Sequence, residues 1–208
     1  MGSRSIVKSW RQLASTLLLG IALSAAAATE LATRQAFDRL LDESGLHLES
    51  SQNFFDVPIS ANPVLPYEHA IRHQSGELEL RFIIRPLRRI EIEYNDPHNA
   101  APEPNHLFPL LFESLIDRLS ANSNYDSRTL SEPEARDKFN AQWAALSIFD
   151  VNPEFSSDYK SAILLAMHKN DHADAYTLFL YNDDEQAKIL INAALATLSF
   201  DPTPIETQ

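Results

Sequence analysis

Residues 167–176 read MHKNDHADAY and bring two histidines and two aspartates within a few positions of one another. Imidazole nitrogens and carboxylate oxygens are ligands for Zn²⁺ and other borderline divalent ions, so His168, His172 and Asp174 form a candidate metal set. No other cofactor is suggested. The competing reading is a polar hairpin tip, in which KNDHA joins two strands and Asn170 and Asp171 adopt the left-handed backbone that a glycine-free turn needs. His168 then stands opposite Asp174 as an ordinary cross-strand pair. The tip is preferred, because an exposed loop offers metal ligands no outer layer of supporting hydrogen bonds.

Arg81, Arg85, Arg88 and Arg89 are the one basic concentration in an acidic chain. A guanidinium's planar fork suits carboxylate and phosphate, which makes these four a candidate ligand-binding set for a small anion or an acidic partner. The plainer reading has them neutralise Glu77, Glu79, Glu91 and Glu93 across the same hairpin. His69 and His73 lie on a strand, where four residues span about 13 Å, too far to share an ion, and they are read as surface residues. His98 and His106, with Asp96 and Glu103, flank a Pro-rich connection that is either solvated or a binding lip.

Several chemistries are missing. After residue 28 the only glycines are Gly45 and Gly76, so a phosphate-cradling or dinucleotide loop has no backbone to form it. No G-x-S-x-G, S-x-x-K or H-E-x-x-H occurs. The absence of cysteine removes thiol catalysis, disulfides and an acylated-cysteine anchor. A site dispersed along the chain stays open, since catalytic groups meet in space and not in sequence.

The first residues carry an address. Arg4, Lys8 and Arg11 precede an apolar run from Leu13 to Ala28 that closes on small residues, the pattern of a secretory signal cleaved after Ala28. That run is shorter than the about 18–20 residues a spanning helix needs. Loss of those three positive charges moves the formal charge from −12 to −15. Such a chain repels nucleic acid and anionic membrane surfaces. A periplasmic or secreted protein is expected, with no membrane span in the mature chain.

Helical spacing of Leu31, Ala32, Ala36, Phe37, Leu40 and Leu41 predicts a first helix ending at Gly45. Period-two patterning then predicts strands at Leu46–Leu48, Phe55–Ile59 and either side of Ser75-Gly76, the second of these with Leu78, Leu80, Phe82 and Ile84 inward and Glu77, Glu79, Arg81 and Arg85 on a wet face. A strand through Ile90, Ile92 and Tyr94 follows. A helix carries Phe108 to Leu119 with Pro109 in its first turn, and Ser131 with Glu134 caps another through about Asn140. A strand from about Ala144, two doubly apolar strands around the histidine bend and a helix capped by Asp183 complete the pattern, with 201–208 a flexible tail.

Phe55-Asp56-Val57-Pro58, antiparallel strands, a mid-chain helix, a closing hairpin and a terminal helix ending in Leu198-Ser199-Phe200 resemble the photosystem II extrinsic P-subunit and Ran-release-factor type of α/β sandwich. The resemblance covers about residues 46–200 and implies a binding or assembly role without a catalytic centre. It transfers no functional residue. The expected architecture is α+β: an antiparallel β-sheet covered by helices, α/β/α sandwich-like, one domain over 29–200 after a signal peptide at 1–28. The expected function is that of a non-enzymatic exported binding or accessory protein of the cell envelope, its partner an envelope protein or a small ligand. The alternatives are a dispersed-site hydrolase or metal-dependent enzyme, and a binder of a small anionic ligand.

Overall fold

Two segments that carry apolar residues on both faces, SAILLAMHK and ADAYTLFLY, require cover on both sides, and they form the centre of a 7-stranded antiparallel sheet. A computed structural model of the chain describes residues 31–49, 53–90 and 103–202. The strands are β1 (Leu46–Leu48), β2 (Phe54–Asp56), β3 (His69–His73), β4 (Leu78–Pro86), β5 (Ser120–Thr129), β6 (Trp143–Val151), β7 (Ser161–Lys169), β8 (Ala173–Tyr181) and β9 (Leu198–Phe200). The large sheet runs β2-β3-β4-β8-β7-β6-β5, and β1 pairs with β9 in a separate 2-stranded sheet. The chain divides into two units, Met1–Asp38 and Arg39–Gln208. Residues 31–44 form helix α1, which begins in the first unit, where Arg34 Nε donates to Asp38 Oδ1 at 3.1 Å one turn away. The sheet belongs to the second unit, an α+β domain.

Side-chain parity sorts that sheet into two faces. Ile83 on β4, Tyr176, Leu178 and Leu180 on β8, and Leu164 and Ala166 on β7 share one core with Phe112, Ile116 and Leu119 of helix α2 (Phe108–Leu119). Those three helical residues recur at four and three positions, one stripe of the helix, and Pro109 sits in the first turn where its missing N–H costs nothing. The residues of opposite parity on β4, Leu78, Leu80, Phe82 and Ile84, are buried too. Helix α4 (Asp184–Ala194) packs on β4 and β8 and buries Ala187, Ile191 and Ala194 outside that core. Helix α3 (Glu132–Phe139) meets β6 and β9.

The caps anticipated from the sequence are formed. Ser131 and Glu134 make a reciprocal capping box, and Asp183 accepts from the backbone N–H groups of Glu185 and Gln186. Gly45 ends α1 at φ +61, and a Cβ there would stand 2.8 Å from His172 Cδ2, so both backbone angle and space demand glycine.

Four expectations are corrected. The face bearing Glu79 and Arg81 is not wet: both are buried under Tyr67, which precedes β3, and Phe155 and Tyr159, which lie in the connection between β6 and β7. The closing helix stops at Ala194, and Leu198–Phe200 becomes β9, whose backbone is claimed by β1. His69 is buried rather than exposed, its ring stacked on Phe82 at 6.0 Å. β5, SANSNYDSRT, carries no apolar alternation and was not anticipated; its single-sided pairing to β6 leaves nine of its ten residues exposed. The leader at 1–28, the strand through Ile92 and Tyr94, Asp96 and His98, and residues 203–208 lie outside the described residues.

Candidate functional site

Register builds the first polar group on the α2 face. Arg85 stands opposite Asp174, Asp174 opposite His168, and His168 opposite Trp143, one row crossing β4, β8, β7 and β6. His168 Nδ1 donates to Asp174 Oδ1 at 2.6 Å, and the two side chains are 1% and 2% exposed. The other ring nitrogen, Nε2, meets Asn170 Oδ1 at 2.9 Å, and Phe108 stacks on the ring at 4.0 Å. With both nitrogens engaged and one ring face covered, His168 has no opening through which to exchange a proton with a bound molecule. Arg85 turns from Asp174 to Glu68, donating from Nη1 to Oε1 at 2.8 Å.

Beside this row lies a cavity of about 480 Å³, inside the ~300–1,000 Å³ range of small-molecule sites. Leu40, Leu65, Ile83, Leu111 and Leu115 supply apolar walls, Asp174 and Tyr176 polar groups, and Arg85 and Arg89 charge. Tyr176 is 3% exposed, yet its hydroxyl has no hydrogen-bond partner among the described residues, and neither has Asp174 Oδ2. Burial, then the Asp174 charge, holds the Tyr176 phenol well above its usual range, with Arg85 acting against them. The hydroxyl is therefore a neutral group that faces the cavity with a hydrogen bond free to make.

The second polar group on this face is closed. Glu79 accepts from Arg81 Nε at 2.8 Å on one oxygen, and from Arg72 Nη2 at 2.6 Å and Tyr159 hydroxyl at 3.0 Å on the other. Arg81 is held between the rings of Tyr67 and Phe155, at 4.9 and 5.4 Å. Burial pushes the Glu79 carboxyl up, but hydrogen bonds from Arg72 and Arg81 outweigh it and hold the group below the ordinary carboxylate value. Burial and the neighbouring Glu79 charge push the Tyr159 phenol up to about 12.

The structure thus scatters the arginine set. Arg81 belongs to the Glu79 cluster, Arg85 to Glu68, and Arg88 and Arg89 both to Glu43. Only Arg85 and Arg89 of the four line the cavity. Arg81 does meet Glu79, as expected, and Glu79 also takes Arg72 from β3; Glu91 and Glu93 lie outside the described residues. His168 and Asp174 meet as expected, while His172 turns away, its Nδ1 donating to Asn170 O at 2.8 Å and its ring lying against Gly45. Among the described residues no three His, Asp or Glu side chains are grouped to hold a metal ion. Asp171 takes the left-handed backbone, φ +61, that the bend required.

No family model and no curated protein matches this chain. Among solved structures, the solution structure of cyanobacterial PsbP (CyanoP) from Synechocystis sp. PCC 6803 is similar, at 10% identity and a TM-score of 0.41, over 76% of this chain and 87% of that one. It is of the extrinsic P-subunit type to which the order of elements was likened. No helix among the described residues is long and apolar enough to cross a membrane.

Tyr176, Leu111 and Leu115 were read only as core. Each fits its element's apolar stripe, and nothing in a linear pattern distinguishes a residue that fills a core from one that lines a space. Glu68 was missed because it precedes β3, yet its Oε2 accepts from Ile84 N at 3.0 Å and fixes Arg85 at the cavity.

Proposed function

We propose that this chain is a non-catalytic, exported binding protein that takes a small amphiphile, its apolar body in the cavity between α2 and β4 and its polar end near Arg89. The observation that carries this reading is the apolar-walled cavity itself, onto which Tyr176, a largely buried side chain whose hydroxyl has no hydrogen-bond partner among the described residues, opens beside Asp174. A ligand with a hydrogen-bond acceptor satisfies it, and the walls contribute about 25 cal/mol for each Å² of apolar surface removed from water. Arg88 and Arg89 share the single carboxylate of Glu43, with side chains 60% and 59% exposed, leaving donors free for an anionic group. A metal at His168, His172 and Asp174 has no geometric support here, since His172 points elsewhere. Export rests on the leader-like residues 1–28, and mass spectrometry of the mature N-terminus tests it by finding Thr29 or a close neighbour.

Calorimetric titration tests the ligand class. Decanoate, decanol and decylamine, each below its micelle concentration, are titrated into wild type and Leu115→Trp, which fills the cavity. Decanoate binding wild type best, with all three lost in the variant, supports the proposal. Equal affinities in both proteins, or no binding, removes it.

A further inference from the structure

At the far end of β8 from Asp174, a second concavity of about 350 Å³ lies beside the edge strand β5. Asp126, Asp150 and Asp184 stand around it, with Tyr181, Ile148 and Tyr125, and no lysine or arginine lines it. Register explains the convergence. Asp150 stands opposite Ser161 and Ser161 opposite Tyr181, while Asp126 stands opposite Ile148. Asp184 enters from the first turn of α4, whose cap is already supplied by Asp183. None of the three aspartates makes a side-chain hydrogen bond or ion pair among the described residues.

Two further observations point outward to a ligand. Tyr181 is 5% exposed and lines the concavity, and its hydroxyl has no hydrogen-bond partner among the described residues. Burial, then the charges of Asp184 and Asp150, hold that phenol above its usual range, so it stays a neutral donor or acceptor. The edge itself is also open. Among the described residues β5 pairs only with β6 and is the last strand of the sheet; its register is irregular between Ser120 and Tyr125, where Ser123 has φ +49, but from Tyr125 to Thr129 it is regular and bears no proline. Such an edge presents unpaired N–H and C=O groups to any extended chain.

We propose that this end of the molecule docks a basic, extended segment of a partner protein, which adds as a strand to β5 and places a lysine or arginine side chain among Asp126, Asp150 and Asp184. The aliphatic stem of that residue lies on Ile148 and Tyr181, and its charged end meets the carboxylates. Complementary charge makes the association salt-sensitive. An acidic segment is disfavoured by like charge.

The test uses a ten-residue peptide alternating lysine with threonine, the same peptide with glutamate for lysine, a backbone N-methylated lysine peptide, and spermidine. Each is titrated into the whole mature chain by fluorescence anisotropy or calorimetry. The account expects the lysine peptide to bind, weaken at least tenfold in Asp150→Asn/Asp184→Asn, and weaken as salt rises from 50 to 300 mM. It expects the glutamate and N-methylated peptides to fail. Spermidine or the N-methylated peptide binding as tightly as the lysine peptide would overturn strand addition, and unchanged affinity in the asparagine variant would overturn the cation site. Circular dichroism of the variant confirms its fold, and Tyr181→Phe, which removes one hydroxyl, serves as the milder substitution, expected to weaken binding severalfold.

Discussion

The two polar groups on the α2 face are alike in burial and opposite in saturation. Around Glu79 every carboxylate oxygen is engaged, by Arg81 on one side and by Arg72 and Tyr159 on the other. Around Asp174 one oxygen holds His168, and Tyr176 beside it donates to nothing. A saturated network fixes the positions of its strands and has no capacity for a visitor. An unsaturated one against an open apolar space keeps that capacity. Burial of ionisable groups alone would have marked both as sites; the inventory of donors and acceptors separates them.

The largest expected effect falls on the closed group. Glu79→Ala leaves Arg81 buried without its counter-charge and costs about 3–5 kcal/mol of unfolding free energy in urea. Decanoate affinity, measured where the variant is still folded, stays unchanged. The same carboxylate gives a pH signature. Its folded-state pKa is depressed, so its contribution is fully present above about 4.3, the unfolded value, and is lost as pH falls from there through the folded value. Urea midpoints between pH 6 and 3 should therefore fall less steeply in Glu79→Gln than in wild type. Tyr159 acts at the other limit: its raised pKa of about 12 gives stability present below about 10 and lost as pH rises through 12.

On the open side the effects on stability shrink and those on binding grow. Asp174→Asn removes the charge facing His168 and costs about 1–3 kcal/mol, read as a lower urea midpoint, and it weakens decanol binding as well. Tyr176→Phe changes stability by less than about 1 kcal/mol, because the hydroxyl has no partner to lose, but lowers affinity for an acceptor-bearing ligand by roughly 3- to 10-fold, one hydrogen bond's worth. Smallest of all, Arg88→Ala and Arg89→Ala alter stability by about 0–1 kcal/mol, as exposed pairs do. Their signature in calorimetry is loss of the preference for decanoate over decanol.

The elements were legible wherever packing leaves a period. The doubly apolar strands β7 and β8, the capping box at Ser131 and the glycine ending α1 each follow from local chemistry. β5 was not, because an edge strand paired on one side and wet on both faces needs no apolar residues. The Glu79–Arg81 face was misread for the converse reason: alternation of charged and apolar residues signals a solvated face, but Tyr67, Phe155 and Tyr159, distant in sequence, cover it. For the site, the opposition of His168 and Asp174 came from counting residues in a bend. The cavity did not, since its walls come from α1, α2, β4 and β8, and their meeting is set by tertiary packing.

The most direct test of the cavity as a binding site is an isotope-filtered NMR experiment on the mature protein with decanoate present. The account predicts intermolecular Overhauser contacts from the decanoate methylenes to the Leu111 and Leu115 methyl groups and to the Tyr176 ring. Contacts confined to exposed residues away from α2 and β8, under conditions where calorimetry records binding, would contradict it.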